Sequence, residues 1–199
     1  MILIKFRPEH YLYEFYNHRR FKKFKKIYKR NMKDSEESSR YIKIGTHDPK
    51  RKVIFLEIID TIVSISKTQI QNLPVFCHVG KKIGKNFGLG EFYIYLRPFT
   101  FGFLNLIKQE YDIAIYSSVD KALLIFLMDV IQGDKEFFNI LITHETDNEP
   151  KSILKFMTEG RSHKNTILID HDPKVLACYN SNYSLPIPKF TGIAKDSTL

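Results

Sequence analysis

Three short runs limit what this chain can fold into: KVIFLEII (52–59), YDIAIYSS (111–118) and NTILIDHDP (165–173). Each carries apolar residues in succession rather than in alternation. An alternating strand has one wet face; an unbroken apolar strand is buried on both, the place of a central strand in a parallel sheet. FFNILITHE (137–145) reads as a further short strand, and EFYIYLRP as a strand stopped by proline. Between them lie helical patterns. FTFGFLNLIKQE (99–110) spaces Phe103, Leu106 and Ile107 for one helix face, and VDKALLIFLMDVIQG reads as a buried helix with Gly133 at its C-cap. Residues 64–90 read as a long connection, EPKSILKFMTEG as a turn or short helix, and YNSNYSLPIPKF as an extended tail stiffened by Pro186 and Pro188. Strands alternating with helices predict an α/β fold with a parallel sheet. In such a sheet, ligands bind beyond the carboxyl ends of the strands. Two acid-bearing clusters fall there, so Glu57, Asp60, Thr61, Ser117, Asp170 and Asp172 are expected to converge.

The 199 residues suffice for one domain with a tail. Cys77 and Cys178 are the only cysteines and form no CxxC, which argues against a zinc site or a disulfide framework. No apolar run approaches the ~20 residues that span a bilayer, and ALLIFLMDVI (122–131) is short and contains Asp129. The opening MILIKFRPEHYLY does not read as a signal peptide, because charge follows its four-residue apolar run at once. KKIGKNFGLG (81–90) lacks the phosphate-loop arrangement and reads as a surface loop, and His78, His144, His163 and His171 show no paired ligand spacing.

Formal net charge is +9, most of it near the amino terminus: residues 1–40 hold 12 Lys and Arg against five Asp and Glu. In RRFKKFKKIYKR, Arg19, Arg20, Lys22, Lys23, Lys25, Lys26, Lys29 and Arg30 surround Phe21, Phe24, Ile27 and Tyr28. A helix there would carry a narrow apolar stripe in a cationic wrap. Such an arm suits an acidic protein partner, RNA or an anionic membrane surface; the plainer reading is a solvated basic arm. SEESSR (35–40) reads as linker, which divides the chain into a basic arm at 1–40 and a folded domain at 41–199.

Taken in order, KVIFLEIIDTIVSIS, FYIYLRPFTFGFLNLIKQEYDIAIYSS and ILIDHDPKVLACYNSNYSLPIPKF resemble the motifs of the FCP1-homology branch of the haloacid-dehalogenase-like phosphatases. That branch includes the RNA polymerase II C-terminal-domain phosphatases and the mitochondrial import subunit Tim50. The resemblance covers about residues 52–199. It implies a Rossmann-like, haloacid-dehalogenase-type parallel sheet with flanking helices. It also implies site roles. The family's nucleophilic Asp falls on Glu57, its general acid–base Asp on Ile59, the next acid on Asp60 and the motif threonine on Thr61. The phosphate-binding hydroxyl falls on Ser117 and the motif lysine on Lys155, with Lys151 and Lys164 as alternatives. The acid that helps hold magnesium falls on Asp170, with Asp172 two residues on. Arg97 falls on the family's Arg-Pro pair.

The departures matter physically. Glu57 adds a methylene where in-line attack needs close placement, and a misplacement of about 1 Å can cost ~10²-fold. Ile59 has no proton to give or take, and general acid–base help is worth about 10²–10⁴-fold. The expectation is therefore a pseudo-phosphatase, non-catalytic or strongly impaired, acting as a structural or interaction subunit of a larger assembly. The alternatives are a metal-dependent protein Ser/Thr phosphatase working through Glu57, and an RNA-associated component using the basic arm. No cofactor is expected under the first reading. Under the second, Glu57, Asp170 and Asp172 would hold Mg²⁺. Tim50 supplies the family's precedent for a non-enzymatic, mitochondrial role; nucleus and cytoplasm remain open.

Overall fold

A computed structural model describes residues 41–43, 51–71, 73–81, 88–119, 121–133, 135–143, 153, 164–178 and 183–192. The basic arm, including Arg19 to Arg30, lies outside the described residues, as do Lys155 and residues 82–87 of the glycine-rich loop.

The main sheet has six strands in the order β1-β7-β6-β2-β8-β9. These are β1 (Tyr41–Lys43), β2 (Lys52–Leu56), β6 (Tyr111–Ser117), β7 (Ile140–Thr143), β8 (Thr166–Asp170) and β9 (Ser184–Pro186). The edge strand β1 runs antiparallel to β7, and every other pairing is parallel. The three apolar runs supply the sheet's adjacent inner strands. On β2, Val53 to Leu56 are all buried, because β6 and β8 flank the strand and both faces are covered.

One face is covered by helices α1 (Thr100–Ile107) and α2 (Lys121–Gln132). Helix α2 is apolar almost all round, as a fully enclosed helix must be: eight of its residues, from Leu123 to Ile131, are buried. It ends at Gly133, whose φ of 53° is the left-handed closure expected of a helix C-cap. On the other face, Val53, Phe55, Ala114, Tyr116 and Leu168 pack with Ile153 and with Val175 of α3 (Pro173–Cys178).

Part of the segment read as a connection forms a second sheet. Strands β3 (Val63–Ser66), β4 (Cys77–Val79) and β5 (Phe92–Leu96) pair antiparallel in the order β3-β5-β4. EFYIYLRP is thus a strand of this small sheet. Val63, Cys77, Val79, Phe92 and Ile94 face the same core as α2, so the small sheet closes the helical side. β3 and β4 escape sequence reading because VSIS and CHV are too short to show a period.

Tyr95, Leu73 and Phe190 form a third small core against Ile70. Gly192 lies beside it with a φ of 81°, where a Cβ would stand 2.9 Å from Ile70 Cδ1 and 3.1 Å from Leu73 Cδ2. Left-handed backbone costs a residue with a Cβ about 1–2 kcal/mol. Gly192→Ala is therefore expected to destabilise the fold by roughly that amount, read as a lower urea midpoint at unchanged slope.

Candidate functional site

Parallel register brings the carboxyl ends of β2, β6, β7 and β8 to one rim. Leu56 pairs with Ile115 on one side and Ile169 on the other, so Glu57 leaves β2 between the ends of β6 and β8. Its backbone N–H still donates to Ile169 O at 3.0 Å, which holds it at strand height.

The Glu57 side chain is only 5% exposed. Its Oε1 accepts from the backbone N–H of Ile58 at 2.8 Å, from the N–H of Ile59 at 3.2 Å, and from the Ser117 hydroxyl at 2.5 Å. Ser117 itself is fully buried at the end of β6. Three donors from two segments thus meet on one carboxylate oxygen.

Beyond Glu57 the chain turns sharply. The N–H groups of Ile62 and Val63 both donate to Ile58 O. Asp60 sits in the turn at φ 57°, a left-handed conformation that Asp tolerates better than most residues. Its carboxylate meets Lys189 Nζ at 2.7 Å, and its carbonyl accepts the Phe190 N–H. Asp60 therefore ties down the carboxyl-terminal segment, and its charge is matched there. Ile59 is half-buried and packs against the apolar core.

Thr61 is fully buried, with Oγ1 3.2 Å from His171 Nδ1. His171 Nδ1 lies 3.6 Å from Asp170 Oδ1. His171 Nδ1 thus lies between the motif threonine and the buried Asp170. The signal for it was its position between two acids at a strand end.

Arg97 contributes what its Arg-Pro context alone did not reveal. It is 1% exposed and reaches into the turn. Nη1 donates to Thr61 O at 2.6 Å and Nη2 to Pro188 O at 2.5 Å, with the guanidinium 5.3 Å from the Phe190 ring centroid. Its own N–H donates to Ile62 O. One buried cation thus pins the site turn to the Pro-Ile-Pro tail. A charged residue inside the run FYIYLRPF was the available clue, since a buried charge requires partners.

Of the residues expected to hold Mg²⁺, Glu57 follows the end of β2, and Asp170 and Asp172 lie at and just beyond the end of β8. Among the described residues, no three His, Cys, Asp or Glu side chains gather in a group able to hold a metal ion. Asp170 Oδ1 accepts the Asp172 N–H at 2.9 Å, and Asp172 Oδ1 accepts the Lys174 N–H at 2.9 Å. The two carboxylates cap successive steps of the turn into α3. Lys164 is exposed just ahead of β8. Among the described helices, none is long and apolar enough to cross a membrane.

Similarity to known proteins agrees with this architecture. The structure resembles that of fission yeast RNA polymerase II CTD phosphatase Fcp1 bound to beryllium fluoride, with a TM-score of 0.57 at 17% identity, over 72% of this chain and 43% of that one. It also resembles a structure described as that of Fcp1, an essential RNA polymerase II CTD phosphatase, with a TM-score of 0.55 at 17% identity, over 73% and 44%. At this identity the likeness establishes the fold, and the chain spans less than half the length of either structure. No curated protein sequence matches significantly. A family model described as "NLI interacting factor-like phosphatase" matches residues 52–199, from the first residue of β2 onward. The chain therefore belongs to the family of NLI interacting factor-like phosphatases.

Proposed function

We propose that this chain is a non-catalytic or strongly impaired member of its family, serving as a structural or interaction subunit of a larger assembly. One observation carries the reading. The only acid at the nucleophile position has an oxygen engaged by three donors of its own protein, and Ile59 stands where a proton donor is needed. Asp60 does not replace it, because its carboxylate is paired with Lys189. No cofactor is required under this reading. What remains useful is surface: the folded body plus the basic residues Arg19 to Arg30, which suit an acidic protein partner. A Tim50-like receptor role is one form of it, favoured by the resemblance of the Ile169–Pro173 segment.

The test is hydrolysis of an aryl phosphate and of a phosphoserine peptide in magnesium buffer. Wild-type turnover is expected to match that of Asp170→Ala. Turnover well above that control would establish the second reading, a protein Ser/Thr phosphatase acting through Glu57. That reading is favoured by the retention of Thr61, Ser117 and Asp170 at one rim. Pull-down of the full chain at two salt concentrations addresses the assembly itself. Stoichiometric protein partners retained at high salt are expected. Nucleic acid lost at high salt would point instead to RNA held by the arm.

A further inference from the structure

Three donors that converge on a single point, two backbone N–H groups and a hydroxyl, make a cradle for an anionic oxygen. Here the anion is supplied by the chain. The Ile58 and Ile59 amides and the Ser117 hydroxyl all point at Glu57 Oε1. Glu57 folds back along the turn, so that its carboxylate meets the amides of the two residues that follow it. A neighbouring hydroxyl completes the picture. Thr143 is the register partner of Ser117, so both side chains project on the same face. Thr143 is 2% exposed, and its Oγ1 has no hydrogen-bond partner among the described residues. A buried hydroxyl without a partner is rare.

We propose that Glu57 is an intramolecular plug: its carboxylate fills an oxyanion cradle formed by the Ile58 and Ile59 amides and Ser117, and keeps free phosphate-like anions out. The inference rests on the non-catalytic reading above and gives it a physical cause. The plug stabilises the turn as a bound ligand would, so the site turn stays ordered without a ligand.

The probe is inorganic phosphate, with chloride at matched ionic strength as control. Melting is followed on the full chain as wild type, Glu57→Ala and Glu57→Ala/Ser117→Ala. Wild type is expected to respond no more to phosphate than to chloride. Glu57→Ala is expected to melt lower in chloride and to recover by several degrees in phosphate, with Ser117→Ala weakening that response at least tenfold in phosphate concentration. A folded Glu57→Ala with no phosphate-specific shift overturns the proposal, as does a wild type that shifts as much as the variant. Should Glu57→Ala fail to fold in either salt, Glu57→Gln carries the test. Its neutral amide oxygen should yield to phosphate at a concentration tenfold or more below any effect on wild type, and equal responses overturn the proposal. Hydrolysis of an aryl phosphate by the same wild-type sample is read separately. Product formation counts against the non-catalytic reading, whereas the melting data alone decide the plug.

Discussion

Replacing Glu57 and Ile59 together by aspartate is expected to raise kcat/KM for an aryl phosphate by at least about 10²-fold over wild type. Under the non-catalytic reading, two separate deficits are repaired. Asp at 57 restores the carboxylate length that the family resemblance implies for the nucleophile, where in-line attack needs close placement. An acid at 59 supplies the proton-transfer group that isoleucine lacks. Groups that act as a unit are strongly non-additive, so either substitution alone should recover little. Adding Asp170→Ala to the double variant should remove the gain, which separates site chemistry from a contaminating phosphatase. A well-folded double variant no faster than wild type would mean that positions 57 and 59 alone do not limit turnover.

Arg97→Ala is expected to produce the largest loss of stability in the site region, about 3–5 kcal/mol. The guanidinium serves Thr61 O and Pro188 O from a fully enclosed position and lies against Phe190. Its removal strands two carbonyls and opens a cavity between the site turn and the tail. For a chain of this size each kcal/mol moves the melting temperature by roughly 2–4 °C, so the shift should be about 6–20 °C. Arg97→Lys should recover only part of this, since an ammonium lacks the planar fork that reaches two carbonyls at once. Urea denaturation checks both, and an Arg97→Ala midpoint close to wild type would show that the tail docks without the guanidinium.

The inner strands were legible because enclosure on both faces leaves an unbroken apolar run, as in Val53–Leu56, Ile113–Tyr116 and Leu168–Ile169. Helix α2 was legible for the same reason over a longer stretch. The small sheet was not: β3 reads VSIS and β4 reads CHV, and their strand character comes from pairing with β5 rather than from their own pattern. Helix α3, six residues from Pro173 to Cys178, is likewise too short to show a period. At the site, sequence placed Glu57, Ser117 and Asp170 at strand ends. It could not show that Glu57 Oε1 would be held by its own loop, that Asp60 would meet Lys189, or that Arg97 would join two segments far apart in the chain. Each of those depends on where a turn delivers a side chain.

The position of β2 has a consequence for how the chain reaches this state. It is the first of the parallel strands in the chain, yet it lies at the sheet's centre, with partners beginning at Tyr111 and Thr166. Neither pairing is local, so large loops must close before the central contacts reward them, and such topologies fold slowly. During synthesis, Val53–Leu56 emerge early and wait for both neighbours with an apolar strand unsatisfied on two edges. A nascent or truncated chain ending before Thr166 would leave one of those edges open to another chain. The segment that completes the rim of the site is thus also the one that ends the chain's exposure to misassembly.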